Sequence, residues 1–253
     1  MRFIFVTARL KSTRLPGKAL LDIDGQPLLA YQIRRLRAST SYPIVLCTST
    51  HVQDDPLESF AKKMGLPCFR GSEEDVLDRY LQCAKAFGAA QMYITYADEP
   101  LLDIDLIDAT FKQLDRDSPV WVNNSDYPDG CFGYGLNEKA IAVINEKKIS
   151  TENEVWGPMV AALPIQIVKN ALPVHWDKAS YRLTVDYPED LDAFTRLGRD
   201  LGDRIYTVGL DDIFAAYDRL GLLSVNGFRN AEYQTRLAMQ GEAAKAGSHK
   251  GPK

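Results

Sequence analysis

The stretch that decides the fold is Phe3-Ile4-Phe5-Val6-Thr7-Ala8-Arg9-Leu10-Lys11-Ser12-Thr13-Arg14-Leu15-Pro16-Gly17-Lys18. Its first four residues are apolar without interruption, the pattern of a strand buried on both faces. From Ala8 to Lys18 it carries four cations, two hydroxyls and one glycine. So much positive charge at the carboxyl end of a first strand predicts a bound anion. Beyond it, Leu28, Leu29, Ile33 and Leu36 fall on one face of a helix predicted over 27–37. The opening of the chain therefore reads as strand, anion-binding loop, helix.

The same alternation continues. Ile44-Val45-Leu46-Cys47 is a second buried strand ending in Thr48-Ser49, and a helix is predicted over 54–63. Leu66 to Phe69 reads as a third strand, followed by Arg70 and a helix start at Ser72 that runs to Phe87. Met92 to Tyr96 is a fourth strand ending at Asp98, with a helix over 104–114 behind it. Val120 to Asn123 is a fifth. The expected fold is α/β: a mostly parallel sheet with helices on both faces. One domain is expected over 1–238. It holds a small inserted subdomain over about 126–180, with irregular strands at 163–168 and 174–176 and a helix over 137–146. Tyr181 to Val185 reads as a returning strand that ends at Asp186, with helices from Pro188 and Asp211. Residues 239–253 are rich in Gly, Ala and Lys, and a flexible tail is expected there.

Composition narrows the function classes. The 253 residues carry a formal net charge of −4, so no chain-wide basic footprint for nucleic acid exists. The basic loop is local, which marks a site. Cys47, Cys68, Cys83 and Cys131 form no C-x-x-C pair, which argues against structural zinc and for buried thiols. No apolar run reaches the roughly 18 residues of a membrane span. The chain enters its first strand with no signal-peptide pattern, and a cytoplasmic location is expected.

In open α/β sheets, ligands sit beyond the carboxyl ends of the strands. Arg14, Lys18, Thr48, Ser49, Arg70, Asp98 and Asp186 all lie there. Arg14 can grip phosphate oxygens bidentately, and Lys18 supplies a compact charge. The loop is neither the G-x-x-x-x-G-K-[ST] nor the G-x-G-x-x-G phosphate motif. Helix capping explains Asp98 or Asp186 taken singly. Taken together beside a phosphate loop, they are the hard oxygen ligands that a magnesium ion carrying nucleotide phosphates requires.

Ala8-Arg9-x-x-Ser12-Thr13-Arg14-Leu15-Pro16-Gly17-Lys18, followed by Ile23-x-Gly25-x-Pro27-Leu28-Leu29, resembles the opening of the cytidylyltransferases that activate acidic sugars. That group includes 3-deoxy-manno-octulosonate (Kdo) cytidylyltransferase and the SpsF-like proteins of polysaccharide biosynthesis. Arg70-Gly71-Ser72-Glu73-Glu74-Asp75-Val76-Leu77-Asp78-Arg79-Tyr80 is similar to the SpsF-like branch. Asp98-Glu99-Pro100-Leu101 is similar to the Kdo branch, and Arg182-Leu183-Thr184-Val185-Asp186-x-Pro188-Glu189-Asp190 to both.

The resemblance implies a Rossmann-like, GT-A-like nucleotidyltransferase fold and a magnesium-dependent transfer of CMP from CTP to an acidic sugar, with release of pyrophosphate. It implies catalytic roles for Arg14, Lys18, Asp98 and Asp186, with Mg2+ on Asp98 and Asp186. Nucleotide contacts are implied for Ala8, Arg9, Ser12, Thr48, Ser49, Arg70 and Arg79, and a homodimer is implied, with neither nucleic acid nor membrane as partner. Lys11 matches no position of the pattern and is expected to be solvated. Glu99 reads either as a general base or as a carboxylate in the first turn of a helix.

Departures cluster in the acceptor region. Ala97 stands where glycine is usual. Asp98-Glu99-Pro100 stands where the SpsF-like branch has Asp-Cys-Pro. Glu154-Val155-Trp156-Gly157-Pro158 replaces Glu-His-Val-Thr-Pro, and Gly130 to Gly135 departs from Gly-x-Asp-Val-Glu. Two alternatives remain open at this level: a nucleotidyltransferase with another nucleotide or a sugar-phosphate or phosphonate acceptor, and a non-catalytic nucleotide-binding homologue.

Overall fold

The computed structural model of the protein describes residues 1–115, 117–152, 155–173, 175–176, 181–233, 235–236 and 239. Apart from Met239, the expected tail lies outside the described residues, as does Val174 of an expected strand.

β1 (Arg2–Thr7) alternates its side chains between two cores, so it must lie in the middle of the sheet. Ile4 and Val6 face one helical layer, and Phe3 and Phe5 face the other. A short hairpin, β2 (Asp22–Ile23) and β3 (Gln26–Pro27), leads into α1 (Leu28–Ser39). Then follow β4 (Ile44–Ser49), α2 (Asp55–Met64), β5 (Cys68–Gly71), α3 (Val76–Phe87), β6 (Gln91–Tyr96) and α4 (Ile104–Gln113). After them come β7 (Val120–Val122), β8 (Tyr134–Asn137), α5 (Glu138–Lys147), α6 (Gly157–Val160) and β9 (Gln166–Val168). The last elements are α7 (Pro188–Leu201), α8 (Leu210–Arg219) and α9 (Leu223–Asn226).

The main sheet runs β5-β4-β1-β6-β8-β7-β9. The first four strands are mutually parallel, as the βαβ alternation requires. β8 alone is reversed, antiparallel to both β6 and β7. The fifth predicted strand, β7, therefore does not adjoin β6; β8 lies between them. β8 is hidden in the sequence by its central Gly135. A methyl group at Gly135 would meet Thr110 Cγ2 at 2.5 Å, so a strand-favouring residue does not fit there. The segment expected as an insertion over 126–180 thus adds β8 and β9 to the main sheet. Its strand character is confined to Gln166–Val168 within 163–168, and Trp176 is not in a strand.

One core holds Leu29, Ile33, Leu57, Phe60, Ile107 and Phe111 of α1, α2 and α4 against the sheet. The other holds Leu77, Tyr80, Ile141 and Ile144 of α3 and α5. Burial of such side chains stabilises by about 1.5–3 kcal/mol each. A third core joins α7 and α8 to the outer side of α1 through Leu28, Tyr31, Phe194 and Phe214. α3 starts at Val76 under an Asp75 cap; Ser72, the expected start, accepts a bond from Asp75 N instead.

Tyr181 to Val185 is the main correction. It is extended but forms only an isolated bridge between Asp129 and Arg182. Leu183 N and Thr184 N both donate to Asp129 O, and Val185 N donates to Asp98 O at 2.8 Å. The segment is stitched to loops at the strand ends and does not enter the sheet.

Candidate active site

β1 and β6 pair in register to their last residues, Thr7 and Tyr96. Ala97 N then donates to Thr7 O, and Ala8 N donates to Cys47 O. The basic loop and Asp98 therefore leave the sheet side by side. The loop is held by its backbone: Leu10 N donates to Asp54 Oδ1 at 2.8 Å, and Leu15 N to Ser12 Oγ at 3.3 Å. Gly17 turns it with φ +67°, a conformation that other residues rarely adopt. That turn starts a 3-10 helix at Lys18 and aims its side chain back over the sheet.

Lys18 Nζ lies between the two carboxylates. It donates to Asp98 Oδ2 and, at 2.6 Å, to Asp186 Oδ1. Arg14 donates to that same Oδ1 at 2.5 Å. Two aspartates 88 positions apart thus share one ammonium at the top of the sheet. Burial works against the Lys18 charge, but Asp98 and Asp186 outweigh it and hold its pKa above the usual lysine value. Burial likewise pushes the Asp186 carboxyl up, but Lys18 and Arg14 overcome this and bring it down to about 2.

Neither aspartate caps a helix. Asp103 caps α4, and Asp190 in the first turn of α7 reaches back to the backbone of the N-cap residue Tyr187. Asp190 Oδ2 accepts from both Asp186 N and Tyr187 N. Asp190 is in turn clamped by Arg182 through bonds of 2.8 and 2.9 Å, and both side chains are fully buried.

Among the described residues, no cluster of three His, Cys, Asp or Glu side chains could hold a metal by itself. The donor set nevertheless fits magnesium delivered with a nucleotide. Two hard carboxylates converge, a cation already bridges them, and phosphate oxygens and water would complete the coordination.

Other expected site residues are placed differently. Arg9 donates to Glu73 O at 2.8 Å, tying the loop to the β5–α3 connection. Ala8 contributes backbone only. Thr48 and Ser49 are fully buried, and Ser49 Oγ donates to Asp54. Their side chains are therefore sealed from a ligand in this arrangement. Arg70 is folded onto α2, pairing with Asp55 and Glu58 and donating to Ser49 O. Arg79 is buried and donates to Ser72 O, with its Nε and second terminal nitrogen unpartnered. Lys11 is 62% exposed and, among the described residues, reaches Glu73 at 3.4 Å.

Glu99 is not in the first turn of a helix. Its Oε2 accepts from Tyr96 N and from Thr95 Oγ1, closing the turn after β6. Burial, with Asp98 beside it, raises its pKa well above the ordinary glutamate value. Its bonds to Tyr96 N and Thr95 Oγ1 commit its Oε2 to the turn.

Two residues at the site were not found by sequence reasoning. Residues 229–233, 235 and 236 are helical, and the segment crosses the carboxylates. Arg236 comes within 3.7 Å of Asp186 Oδ2, and Tyr233 stacks against both Arg182 and Arg236. The available signal was the Arg229-x-x-Glu232-Tyr233-x-x-Arg236 spacing, which places these residues along one helical face.

Known proteins match this architecture. A family model described as cytidylyltransferase matches residues 3–239. The spore coat polysaccharide biosynthesis protein SpsF of Bacillus subtilis is 30% identical over 214 residues, covering 79% of this chain and 87% of that protein. The 3-deoxy-manno-octulosonate cytidylyltransferase of Francisella philomiragia is 32% identical over 114 residues, 44% of this chain and 45% of its own. The structure of a cytidylyltransferase from Leptospira borgpetersenii superposes with a TM-score of 0.79 at 22% identity, covering 89% of this chain and 97% of that one. The chain belongs to the cytidylyltransferase family and is a nucleotidyltransferase.

Proposed function

We propose that this cytidylyltransferase transfers CMP from CTP to an oxygen of an acidic sugar, with magnesium, releasing pyrophosphate for surface-polysaccharide synthesis. The observation that carries the reading is the Lys18 ammonium shared by Asp98 and Asp186, with Arg14 on the same Asp186 oxygen. A cation-bridged carboxylate pair at the end of a basic loop suits a metal-bound triphosphate. SpsF-like and Kdo-type relatives support the polysaccharide and acid-sugar context.

Asp98 and Asp186 would hold Mg2+, which when bound polarises a phosphoryl oxygen. Lys18 and Arg14, released from the carboxylates, turn to the β- and γ-phosphates and stabilise charge on the departing pyrophosphate. Gly17 and the bond from Leu10 N to Asp54 keep the loop backbone fixed while these side chains move. Arg182 and Asp190 keep Asp186 in place without touching substrate. Glu99 keeps the Asp98 turn closed through its bonds to Tyr96 N and Thr95 Oγ1. The acceptor oxygen then meets the α-phosphorus by positioning, with no covalent enzyme intermediate.

Pyrophosphate release tests this reading. CTP, UTP, ATP and GTP are each paired with 2-keto acid sugars and with sugar phosphates, with and without Mg2+. Turnover is expected for CTP with an acid sugar and only with metal. Preference for another nucleotide, or for a sugar phosphate, would replace it.

A further inference from the structure

Among the described residues, the site carries a cation that neither the phosphate half nor a hydrogen-bonded ion pair uses. We infer that Arg236, brought in by the C-terminal helical segment, binds the anionic group of the acceptor. The inference rests on the acceptor reading above and gives that acceptor a named contact.

Three arginines surround Asp186, and their states differ. Arg182 is locked in two bonds to Asp190. Arg14 is bonded to Asp186 Oδ1, on the loop side. Arg236 stands opposite Oδ2, at 3.7 Å, beyond hydrogen-bonding distance. Its Nε is buried with no partner among the described residues, although the side chain as a whole is 31% exposed. A buried guanidinium N–H without an acceptor is costly unless a ligand completes it.

The segment is anchored so as to hold Arg236 there. Arg229 pairs with Glu189 at 2.9 Å, and Tyr187 Oη donates to Glu232 at 3.2 Å. The guanidiniums of Arg182 and Arg236 each lie 5.0 Å from the centroid of the Tyr233 ring. Burial, with Asp129, Asp186 and Asp98 adding, holds the Tyr233 hydroxyl well above its usual pKa, so it remains a donor. Asp129 and Tyr134, which also act on Tyr233, belong to the 126–180 segment.

Tyr233 thus has residues of that segment around it, and Arg236 stacks on Tyr233, while Arg14 and Lys18 reach the carboxylates from the loop. Three lysines of the segment are turned elsewhere: Lys139 to Asp117, Lys148 to Asp75 and Lys169 to Asp126. An oxyanion approaching Asp98 and Asp186 needs a cation beside it to offset their repulsion. Arg236 is placed to be that cation. Its planar fork matches a carboxylate or a phosphate bidentately.

The test uses the full chain with Mg2+ and α,β-methylene-CTP, a nucleotide that cannot transfer. Calorimetry then measures binding of Kdo (a carboxylate), glucose 1-phosphate (a phosphate) and neutral N-acetylglucosamine. An acid probe is expected to bind, and the neutral one not. Arg236→Gln should weaken the acid probe at least tenfold, and Arg236→Lys by less. Both variants should bind the nucleotide within twofold of the unaltered protein. Whichever acid probe binds identifies the anion as carboxylate or phosphate.

The inference is overturned if the unaltered protein binds no acid probe, or binds the neutral one equally well. It is also overturned if Arg236→Gln weakens the nucleotide and not the acid probe, or weakens neither. Failure of the functional reading is seen separately, as absent pyrophosphate release from CTP with acid sugars while acid-probe binding still depends on Arg236.

Discussion

Asp98 and Asp186 receive the same ammonium but are held in place by unlike means. Asp98 follows a strand that pairs in full register with β1, so backbone hydrogen bonds fix its position. Its side chain is 21% exposed. Asp186 follows no strand. It is 3% exposed and stands on a buried Arg182–Asp190 pair, with Asp190 Oδ2 also accepting from Asp186 N and Tyr187 N at the start of α7. One half of the site is thus built by sheet geometry and the other by buried charge. The first kind tolerates side-chain changes around it. The second fails when any one partner is removed, because a buried charge then stands alone.

The sharpest way to break this contrast is Asp190→Ala. It strands Arg182 and removes the acceptor for Asp186 N and Tyr187 N. A loss of about 3–5 kcal/mol is expected in urea unfolding. A loss under 1 kcal/mol would mean that Asp186 is held by something else.

A smaller effect is expected on the Asp98 side, at Asp103. Burial lifts its carboxyl to about 6, above the ordinary carboxylate value, although it still caps α4 by accepting from Asp105 N. The folded state therefore favours the protonated form. The stability this supplies is fully present below about pH 4 and is lost as pH rises through 6. Asp103→Asn keeps the cap and cannot ionise. Between pH 4 and 7 the unaltered protein should lose about 2 kcal/mol relative to this variant. Parallel stability profiles would contradict the assignment.

Gly17→Ala probes the group the two halves share. An added methyl meets nothing within 4 Å, so only the +67° φ opposes it. A cost of about 1–2 kcal/mol is expected, with weaker CTP binding because Lys18 is re-aimed. Unchanged stability and unchanged affinity together would show that the turn does not position Lys18.

The contrast also explains what the sequence could reveal. The β1 loop and Asp98 were legible because each follows a continuous apolar run, and a strand end is a local property. The α1, α2, α4, α5, α7 and α8 helices were legible to within a few residues because the helical spacing of apolar residues is likewise a local property. Asp186 was legible as a residue but not in its setting. Tyr181 to Val185 has the composition of a strand, yet its partners are loop carbonyls of Asp98 and Asp129. β8 was missed because close packing demands glycine where a strand pattern would show a branched residue. Thr48, Ser49 and Arg70 lie at strand ends as expected, but burial and local ion pairs decide what such residues can touch. Arg236 and Tyr233 were missed because their helix docks through charges and aromatic rings and carries no apolar stripe that a pattern could detect.

The central claim is that the two differently supported carboxylates act as one cation site for a metal-bound nucleotide. Calorimetric titration of CTP with and without Mg2+ tests it without any acceptor. Magnesium should tighten CTP at least tenfold in the unaltered protein and by less than twofold in both Asp98→Asn and Asp186→Asn, with circular dichroism confirming that each variant is folded. A magnesium effect that persists at full size in either folded variant would contradict the account.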